Sequence, residues 1–257
     1  MTDSNSGPRG ALLLIGNELL TGKIQDANGP LVVESFRQQG VDLVEMRVIP
    51  DSVAGIATAV RELRDRSDFL ITSGGVGPTH DDLTMCGVAN AFDVPLVTHP
   101  VLEEGIRRFY ANEPDQLRVW LRMAQVPEGC DLLFDAGNPW PVYHLSSTYI
   151  LPGIPGIFRR QFEIVRRRFA THPVRQQTLY LTIGEGEIAE LLEEIQRRHP
   201  AVEIGSYPLL GEGTIRTRVT LECREAGMLE DASEGLQQLL PAEALIEVEF
   251  DAARLKS

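Results

Sequence analysis

Short apolar runs alternate with amphipathic segments along the first two thirds of the chain. The runs at residues 11–16 and 69–72 read as buried strands, and the alternation of apolar and polar positions at 41–49 indicates another strand. Between and after them, periodic apolar positions predict helices over 29–39, 51–66 and 83–92. A strand-helix alternation of this kind is typical of a parallel sheet covered on both faces, so we expect an α/β fold.

The pattern changes towards the C-terminus. Further helices are predicted at 101–111, 116–124 and 155–170, short strands at 132–134 and 149–151, and a stiff turn at Asn138–Pro141. Beyond Pro173 the predicted order is strand 178–183, helix 188–198, strands 202–207 and 214–223, helix 229–240 and strand 244–250. This βαββαβ order predicts a smaller ferredoxin-like domain. We therefore expect a disordered tail at 1–10, an α/β domain at 11–173 and a small α+β domain at 174–257.

Composition and charge narrow the classes of function. The 257 residues are 43% hydrophobic and 24% charged, which argues against wholesale disorder, and the net charge of −13 argues against a nucleic-acid partner. Residues 1–10 are polar and the apolar run Ala11–Ile15 is short, so neither a secretory signal nor a membrane span is predicted, and a cytoplasmic location is expected. Cys86, Cys130 and Cys223 lack the spacing of a disulfide scaffold or zinc site.

The turn after the third predicted strand carries the strongest candidate chemistry. Gly74, Gly75 and Gly77 allow close approach of the backbone, whose N–H groups can bind anionic oxygens, and Thr72, Ser73 and Thr79 can add hydroxyl donors. The dinucleotide fingerprint fails because His80 stands at its third glycine position, and no lysine makes a P-loop. His80 can be a base, a ligand or an exposed turn residue. The segment predicts a phosphate-binding turn at a strand end.

Three aspartates are candidate metal ligands near this turn. Asp81 and Asp82 follow it directly, and Asp51 follows the second predicted strand at the same expected sheet edge. Carboxylates beside bound phosphates suit a divalent cation. The same residues can instead be acids that stabilise helix starts, and Asp51 can be a helix N-cap.

Two other turns are expected at this edge. In the first, Glu18, Asp26 and Asn28 can bind the edge of a heteroaromatic ring, or they can hold the loop through Asx turns. In the second, Leu151-Pro152-Gly153-Ile154-Pro155, Gly153 can complete a phosphate or pterin pocket, or can simply link a strand to a helix.

Together these motifs resemble the MoaB/Mog superfamily of molybdopterin-binding domains. The resemblance rests on Gly16-Asn17-Glu18-Leu19-Leu20-x-Gly22 with Asp26-x-Asn28, on Gly74-Gly75-Val76-Gly77-Pro78-Thr79-x-Asp81-Asp82-x-Thr84, and on Leu151–Pro155. They are similar above all to the N-terminal domain of CinA, the competence/damage-inducible protein, and to the related domain of eukaryotic FAD synthases. The segment Ile204–Pro208 also resembles the FAD synthase branch. The resemblance implies a three-layer Mog-type sheet, parallel with a mixed edge.

The resemblance also implies a ligand and an activity. The expected function is binding of a pterin or nucleotide diphosphate. The chain is also expected to be a divalent-metal-dependent hydrolase that cleaves a pyrophosphate such as ADP-ribose or FAD, with Mg²⁺, Mn²⁺ or Co²⁺ as the metal. The alternative is a module that binds molybdopterin or a nucleotide without turnover. A homo-oligomer is implied as well. No segment resembles the CinA amidase domain or the FAD synthase catalytic domain, so neither of those activities is expected.

The resemblance assigns roles to residues of this sequence. Asp51 and Asp82 match positions that are functional in the Mog adenylyltransferases and are the expected catalytic residues, with Asp81, Asp82 and Asp51 as the expected metal ligands. The expected ligand and phosphate contacts are Thr72, Ser73, Gly74, Gly75, Gly77, Thr79, Thr84, Glu18, Asp26, Asn28 and Gly153.

Overall fold

The computed structural model describes residues 7–135, 140–169, 171, 173–209 and 213–251. The chain divides into two compact units. The larger contains residues 8–36 and 41–169, and the smaller contains Gly7, Arg37–Gly40 and the described residues from 171 onward. Residues 1–6 of the predicted tail and Asn138 and Pro139 of the predicted turn lie outside the described residues. Arg9 and Gly10 of that tail belong to the first strand.

The larger unit is built on a mixed sheet. Its strands are β1 (Arg9–Ile15), β2 (Asp42–Ile49), β3 (Phe69–Ser73), β4 (Leu96–Thr98), β5 (Gln125–Pro127), β6 (Asp131–Leu133), β7 (Val142–Leu145) and β8 (Thr148–Leu151). Six of them form a sheet in the order β2-β1-β3-β8-β7-β6, in which β2, β1, β3 and β8 are parallel and β7 and β6 are antiparallel. The predicted parallel sheet with a mixed edge is confirmed.

Helices cover both faces of this sheet. They are α1 (Asn17–Leu20), α2 (Asn28–Gln39), α3 (Val53–Arg66), α4 (Thr84–Ala91), α5 (Pro100–Phe109), α6 (Pro114–Trp120) and α7 (Pro155–Arg166), with a 3-10 turn at Leu121–Ala124. In β1, Leu13 and Ile15 belong to one core cluster and Leu12 and Leu14 to another. The first cluster contains apolar residues of α3 and α4, and the second contains those of α2 and α7. Burial of each of these leucine side chains stabilises the folded state by about 1.5–3 kcal/mol.

The parallel strands end level with one another, and this positions the candidate site. Leu14 of β1 is paired with Ser73 of β3, and Ser73 is paired with Leu151 of β8. The turns after these strands therefore leave the same edge of the sheet. In an open α/β sheet this edge is where ligands bind.

Several short elements were not predicted. They include the single-turn helix α1 and the two-stranded antiparallel ladder of β4 and β5. Elements of three or four residues are too short to show a hydrophobic period, so the sequence pattern cannot reveal them. Among the described residues, no helix is both long and apolar enough to cross a membrane.

The smaller unit has the predicted βαββαβ order. Its elements are β9 (Arg175–Leu181), α8 (Glu185–Arg198), β10 (Glu203–Pro208), β11 (Thr217–Cys223), α9 (Ala226–Leu239) and β12 (Leu245–Asp251). The antiparallel sheet has the order β10-β11-β9-β12, as in ferredoxin-like folds. Helix α8 begins three residues earlier than predicted, because Glu187 accepts a 2.9 Å hydrogen bond from the amide of Gly184 before the apolar face begins.

Candidate functional site

The glycine turn after β3 has a backbone that only glycine adopts without strain. Gly74 has φ of 106° and Gly75 has φ of 63°. A Cβ added to Gly74 would overlap the carbonyl oxygen of Ile15, and one added to Gly77 would overlap the carboxylate of Asp82. The turn therefore needs glycine both for its conformation and for the space around it.

Two buried threonines flank this turn in the sequence, and one of them is hydrogen-bonded to it. Thr84 is fully buried, and its Oγ1 donates a 2.7 Å hydrogen bond to the carbonyl of Gly74. The amide of Thr84 donates to the carbonyl of Gly75 at 3.0 Å. Thr72 is also fully buried, and its hydroxyl has no partner among the described residues. Neither threonine lines the crevice described below, so in this structure both belong to the supporting wall rather than to a ligand-contacting surface.

Thr79 brings the two carboxylates after the turn together. Its hydroxyl lies 2.5 Å from Oδ1 of Asp81 and 2.6 Å from Oδ2 of Asp82, and its amide donates to the same oxygen of Asp82 at 2.8 Å. The Thr79 hydroxyl, together with the backbone amide of Asp81 itself, lowers the pKa of Asp81. These contacts favour the ionised carboxylate. His80 is exposed, with a ring nitrogen 3.8 Å from the carboxylate of Asp81.

Asn28 connects all three motifs of the candidate site. Its Nδ2 donates hydrogen bonds of 2.9 Å to Oγ of Ser73 and 2.9 Å to the carbonyl of Gly153. Ser73 in turn lies 3.4 Å from the carbonyl of Pro152. Asn28 is buried, and its Oδ1 has no partner among the described residues. The side chain therefore ties the first turn to the ends of β3 and β8.

Asp26 holds the beginning of helix α2. Its carboxylate accepts hydrogen bonds from the amides of Asn28 at 2.9 Å and Gly29 at 3.0 Å. This is the Asx-turn arrangement that the sequence left open as an alternative. The carboxylate of Glu18 in α1 lies against Gly16, since a Cβ added to Gly16 would overlap it, and Glu18 and Asp26 line the same crevice.

These turns enclose a crevice of about 350 Å³, which we call the main crevice. Of the candidate residues it is lined by Glu18, Asp26, Asn28, Ser73, Gly74, Gly75, Gly77, Asp82 and Gly153. Apolar side chains such as Leu19 and Ile24 also line it. The structure thus brings nine of the predicted residues to one opening, with both backbone amides and carboxylates on its walls.

A second cavity of about 200 Å³ also borders the glycine turn, and we call it the Arg122 cavity. It shares Gly75, Gly77 and Asp82 with the main crevice and is also lined by Thr79, Cys86 and Arg122. Nη1 of Arg122 donates to the carbonyl of Pro78 at 3.2 Å. Sequence reasoning missed Arg122, because it comes from a 3-10 turn far from any motif.

Asp51 lies at the expected sheet edge but is engaged elsewhere. Its Oδ2 accepts a 2.9 Å hydrogen bond from the amide of Asn17, at the beginning of α1. It does not line the main crevice or the Arg122 cavity. The N-cap of α3 is the neighbouring Ser52, whose hydroxyl accepts from Gly55 at 3.4 Å. Asp51 therefore holds the first turn in place.

The carboxylates do not form a complete protein-built metal site. Within the described part of the chain, no group of three or more His, Cys, Asp or Glu side chains is arranged to hold a metal ion. Asp81 and Asp82 remain as a pair, since both approach the Thr79 hydroxyl. Mg²⁺ is commonly held by one or two carboxylates together with phosphates of the substrate. Of these three aspartates, only Asp82 lines the main crevice and the Arg122 cavity, because Asp81 and Asp51 line neither.

Comparison with known proteins decides the family. Residues 11–172 match the family described as "Probable molybdopterin binding domain". The chain belongs to this family. Residues 173–249 of this molybdopterin-binding-domain protein match a second family, "FAD synthase, middle domain". The resemblance expected from the three motifs is confirmed.

Relatives and solved structures agree with this assignment. The chain is 28% identical over 256 residues to a "Probable FAD synthase" of Caenorhabditis elegans, covering 90% of this chain and 49% of that protein. It is 32% identical over 214 residues to a "CinA-like protein" of Syntrophus aciditrophicus, covering 77% of this chain and 50% of that one. It thus spans about half the length of these two relatives.

A crystal structure of the protein CinA from Thermoplasma acidophilum has the same fold as the larger unit. The TM-score is 0.56 at 24% identity, and the match covers 63% of this chain and 99% of that chain.

Proposed function

We propose that the larger unit binds a nucleotide or pterin diphosphate in the main crevice and hydrolyses its pyrophosphate bond. The observation that carries the proposal is the convergence of three turns on one opening, held by the hydrogen bonds of Asn28 to Ser73 and Gly153. The family assignment supports a small-molecule ligand with a pterin or nucleotide group.

Each part of the crevice suits one part of such a ligand. The amides of Gly75 and Gly77 suit phosphate oxygens, because a glycine turn exposes successive N–H groups at a strand end. Glu18 and Asp26 suit the N–H groups of a purine or pterin ring, since carboxylates accept hydrogen bonds. Arg122, which lines a cavity together with Gly75 and Gly77, adds a positive charge near the phosphates. With the ring beside Glu18 and Asp26 and the diphosphate beside the glycine turn, an acidic chain can bind an anion, because the phosphates contact backbone amides rather than carboxylates.

Hydrolysis needs a water molecule to attack phosphorus and a phosphate to leave. Asp82 lines both cavities at the glycine turn, so it is the residue we assign to orient and deprotonate that water. The water oxygen bonds to phosphorus, the bridging P–O bond breaks, and two monophosphates leave. A divalent cation held by Asp81 and Asp82 with the phosphates would offset the charge on the leaving phosphate. The role of Asp51 is to position the first turn through Asn17.

The test is product analysis with ADP-ribose and FAD, with and without Mg²⁺, Mn²⁺ or Co²⁺. Wild type is expected to release AMP from both, and Asp82→Asn is expected to slow release on the order of 10²–10⁴-fold. Asp65→Asn, an exposed carboxylate of α3, is the matched control and should behave as wild type. Equal rates for Asp82→Asn and wild type would refute the assignment of Asp82.

The second candidate is a module that binds the same ligands without turnover. It is favoured by the fact that Asp26, Asp51, Asp81 and Asp82 are all engaged in hydrogen bonds within the protein. Calorimetric titration separates the two functions, because tight binding without product supports the module. In that case molybdopterin would be the ligand to compare with nucleotides.

The homo-oligomer and the cytoplasmic location remain predictions. An oligomer of identical chains is consistent with the exposed apolar side chains of the edge strand β2, Val44, Met46 and Val48. Sedimentation equilibrium measures the oligomeric state directly. A single species of 28.4 kDa would contradict the oligomer.

A further inference from the structure

Strand β2 forms an uncovered edge of the six-stranded sheet. It pairs with β1 on one side, and no strand among the described residues pairs with its other side. The strand is eight residues long, and after a register shift near Val44 it follows β1 regularly from Glu45 to Ile49. The strand at the opposite edge, β6, has three residues. Since a free edge presents unpaired N–H and C=O groups, β2 is a surface to which a further strand can be added.

One side of β2 is apolar and exposed. Val44, Met46 and Val48 are 38%, 47% and 39% exposed, and the register with β1 places Met46 and Val48 on the face of the sheet that α2 covers. The sulfur of Met46 lies beside Gly29 of α2, because a Cβ added to that glycine would be 3.0 Å from it. We call these three side chains the β2 strip. Exposed apolar side chains that adjoin one another are typical of a protein–protein contact.

The opposite side of β2 carries one negative and one positive charge. Glu45 and Arg47 lie 2.7 Å apart on the face that α3 covers, and their side chains are 27% and 26% exposed. Within the chain, Arg47 also pairs with Glu62 of α3 at 2.6 Å, and Glu45 pairs with Arg66 at 3.3 Å. Both charges stand next to the free edge, so they meet the side chains of any strand that pairs with β2.

These charges select one register for pairing with a second copy of β2. When a two-fold axis relates two antiparallel strands, it passes between two identical residues, and opposite residues share a face of the sheet. An axis at Glu45 sets two glutamates opposite each other, and an axis at Arg47 sets two arginines opposite each other. An axis at Met46 sets each Glu45 opposite an Arg47 and brings Val44 beside Val48. Opposite charges stabilise such cross-strand pairs and like charges destabilise them, so the register centred on Met46 is favoured.

Resting on the homo-oligomer in the function proposed above, we infer that two copies of the chain associate through antiparallel β2 strands with the two-fold axis at Met46. The two sheets join into one continuous sheet. The β2 strip of one copy covers that of the other, which removes apolar surface from water. A two-fold contact uses the same surface on both copies and closes on itself, so the assembly is a dimer.

Two charge reversals test this contact in the full chain. Glu45→Arg leaves only positive charges on this side of β2, and Arg47→Glu leaves only negative ones. Each variant alone should therefore dimerise at least about tenfold more weakly than wild type in sedimentation equilibrium. An equimolar mixture of the two variants should recover the dimer, because a positive strand then faces a negative one. Native mass spectrometry should identify the recovered species as the heterodimer.

The mixture separates contacts between chains from ion pairs within one chain. Each chain in the mixture still lacks its own pair between Glu45 and Arg47, so the recovered dimer can only come from contact with the other chain. Glu104→Arg and Arg108→Glu are the matched controls, because these residues form an exposed 2.6 Å ion pair on α5 beside a different apolar groove. Each control variant should dimerise as wild type does.

Met46→Cys gives a second measurement that keeps the charges. Opposite residues of an antiparallel pair have Cα atoms about 4.5–5.5 Å apart, which a disulfide can span. Mild oxidation should link two Met46→Cys chains through residue 46, as identified by mass spectrometry of the linked peptides. Val119→Cys, at an exposed position of α6, should give no link at its own position.

The outcomes separate this contact from the other proposals. Wild type that sediments as a monomer overturns the β2 contact and the homo-oligomer together, and a trimer overturns the two-fold contact alone. A wild-type dimer that both charge reversals leave intact, or a mixture that fails to recover the dimer, also overturns the β2 contact. None of these results bears on the diphosphate site, which product analysis tests separately.

Discussion

Asn28 and Ser73, 45 positions apart in the chain, are joined by a 2.9 Å hydrogen bond between Nδ2 and Oγ in the buried wall of the main crevice. The same amide group donates to the carbonyl of Gly153, so a single side chain holds three strand-end turns together. The shape of the crevice therefore depends on Asn28, which connects the three turns.

Asn28→Ala should weaken both stability and ligand binding. Two hydrogen bonds are lost, and each contributes about 0.5–1.5 kcal/mol, so the free energy of unfolding should fall by about 1–3 kcal/mol. Urea unfolding measures this change, and titration with ADP-ribose measures the accompanying loss of affinity. Asn90→Ala, an exposed asparagine of α4, serves as the control. If the two variants are equally stable, the connecting role of Asn28 is wrong.

Gly74→Ala should be severely destabilising. The φ of 106° is strained for any side chain, and the added methyl group would overlap the Ile15 carbonyl, so we expect a loss of roughly 3 kcal/mol or more. Gly105→Ala is the contrasting variant, because that glycine lies in α5 with no atom within 4 Å of an added Cβ. It should gain about 0.5–1 kcal/mol from helix propensity. A mild effect of Gly74→Ala in thermal unfolding would contradict the geometry of the turn.

The cysteines should differ in reactivity, and one of them should report on the ligand. Burial raises the pKa of Cys130 to about 11, so this thiol should resist alkylation at pH 8. Cys86 is partly exposed and lines the Arg122 cavity beside Asp82. We expect Cys86 to react first and bound ADP-ribose to slow its reaction, as followed by mass spectrometry of the labelled peptides. Labelling of Cys86 at the same rate with saturating ligand would place the ligand elsewhere.

The stability of the larger unit should fall on mild acidification through His144. Burial lowers the pKa of His144, with the nearby Arg168 adding to the effect. Below about pH 6.5 the unfolded chain takes up a proton that the folded state resists, so stability declines until the pH reaches the lower folded-state value. Above pH 6.5 both states are neutral at this residue and its contribution is constant.

Urea unfolding at pH 7.5 and pH 5.5 measures this dependence. His144→Gln should reduce the difference in stability between the two pH values. His199→Gln, in the smaller unit, is the comparison variant. An unchanged pH dependence in His144→Gln would show that other groups cause the decline.

The sequence predicts the sheet edge well because strand periodicity and glycine turns are local signals. The turns that contain Glu18, Gly75 and Gly153 lie at one opening, as parallel strands require. The contacts between the turns are not local, so the pattern gave no reason to choose Asn28 as their connection. Asp51 illustrates the limit in another way: it follows a strand that ends at the expected edge, but its carboxylate accepts a hydrogen bond from the amide of Asn17 and lines neither cavity.

The residues that sequence reasoning missed lie outside the motifs. Arg122 stands in a short element with no recognisable spacing, and a cavity formed by distant segments leaves no period in the sequence. The β2 strip did leave a signal, since apolar and charged residues alternate along the predicted strand at 41–49. Such an alternation indicates a strand with two unlike sides, but only the structure shows that this strand lies at an edge of the sheet.

The most direct test of the diphosphate site is the amide spectrum of ¹⁵N-labelled protein titrated with ADP-ribose. We expect the amides of Gly75, Val76 and Gly77 to shift most, together with those of Gly153 and Ile154 across the crevice, and the amides of the smaller unit to stay unchanged. Saturable binding without shifts at Gly75–Gly77, or no binding at millimolar ligand, would contradict it.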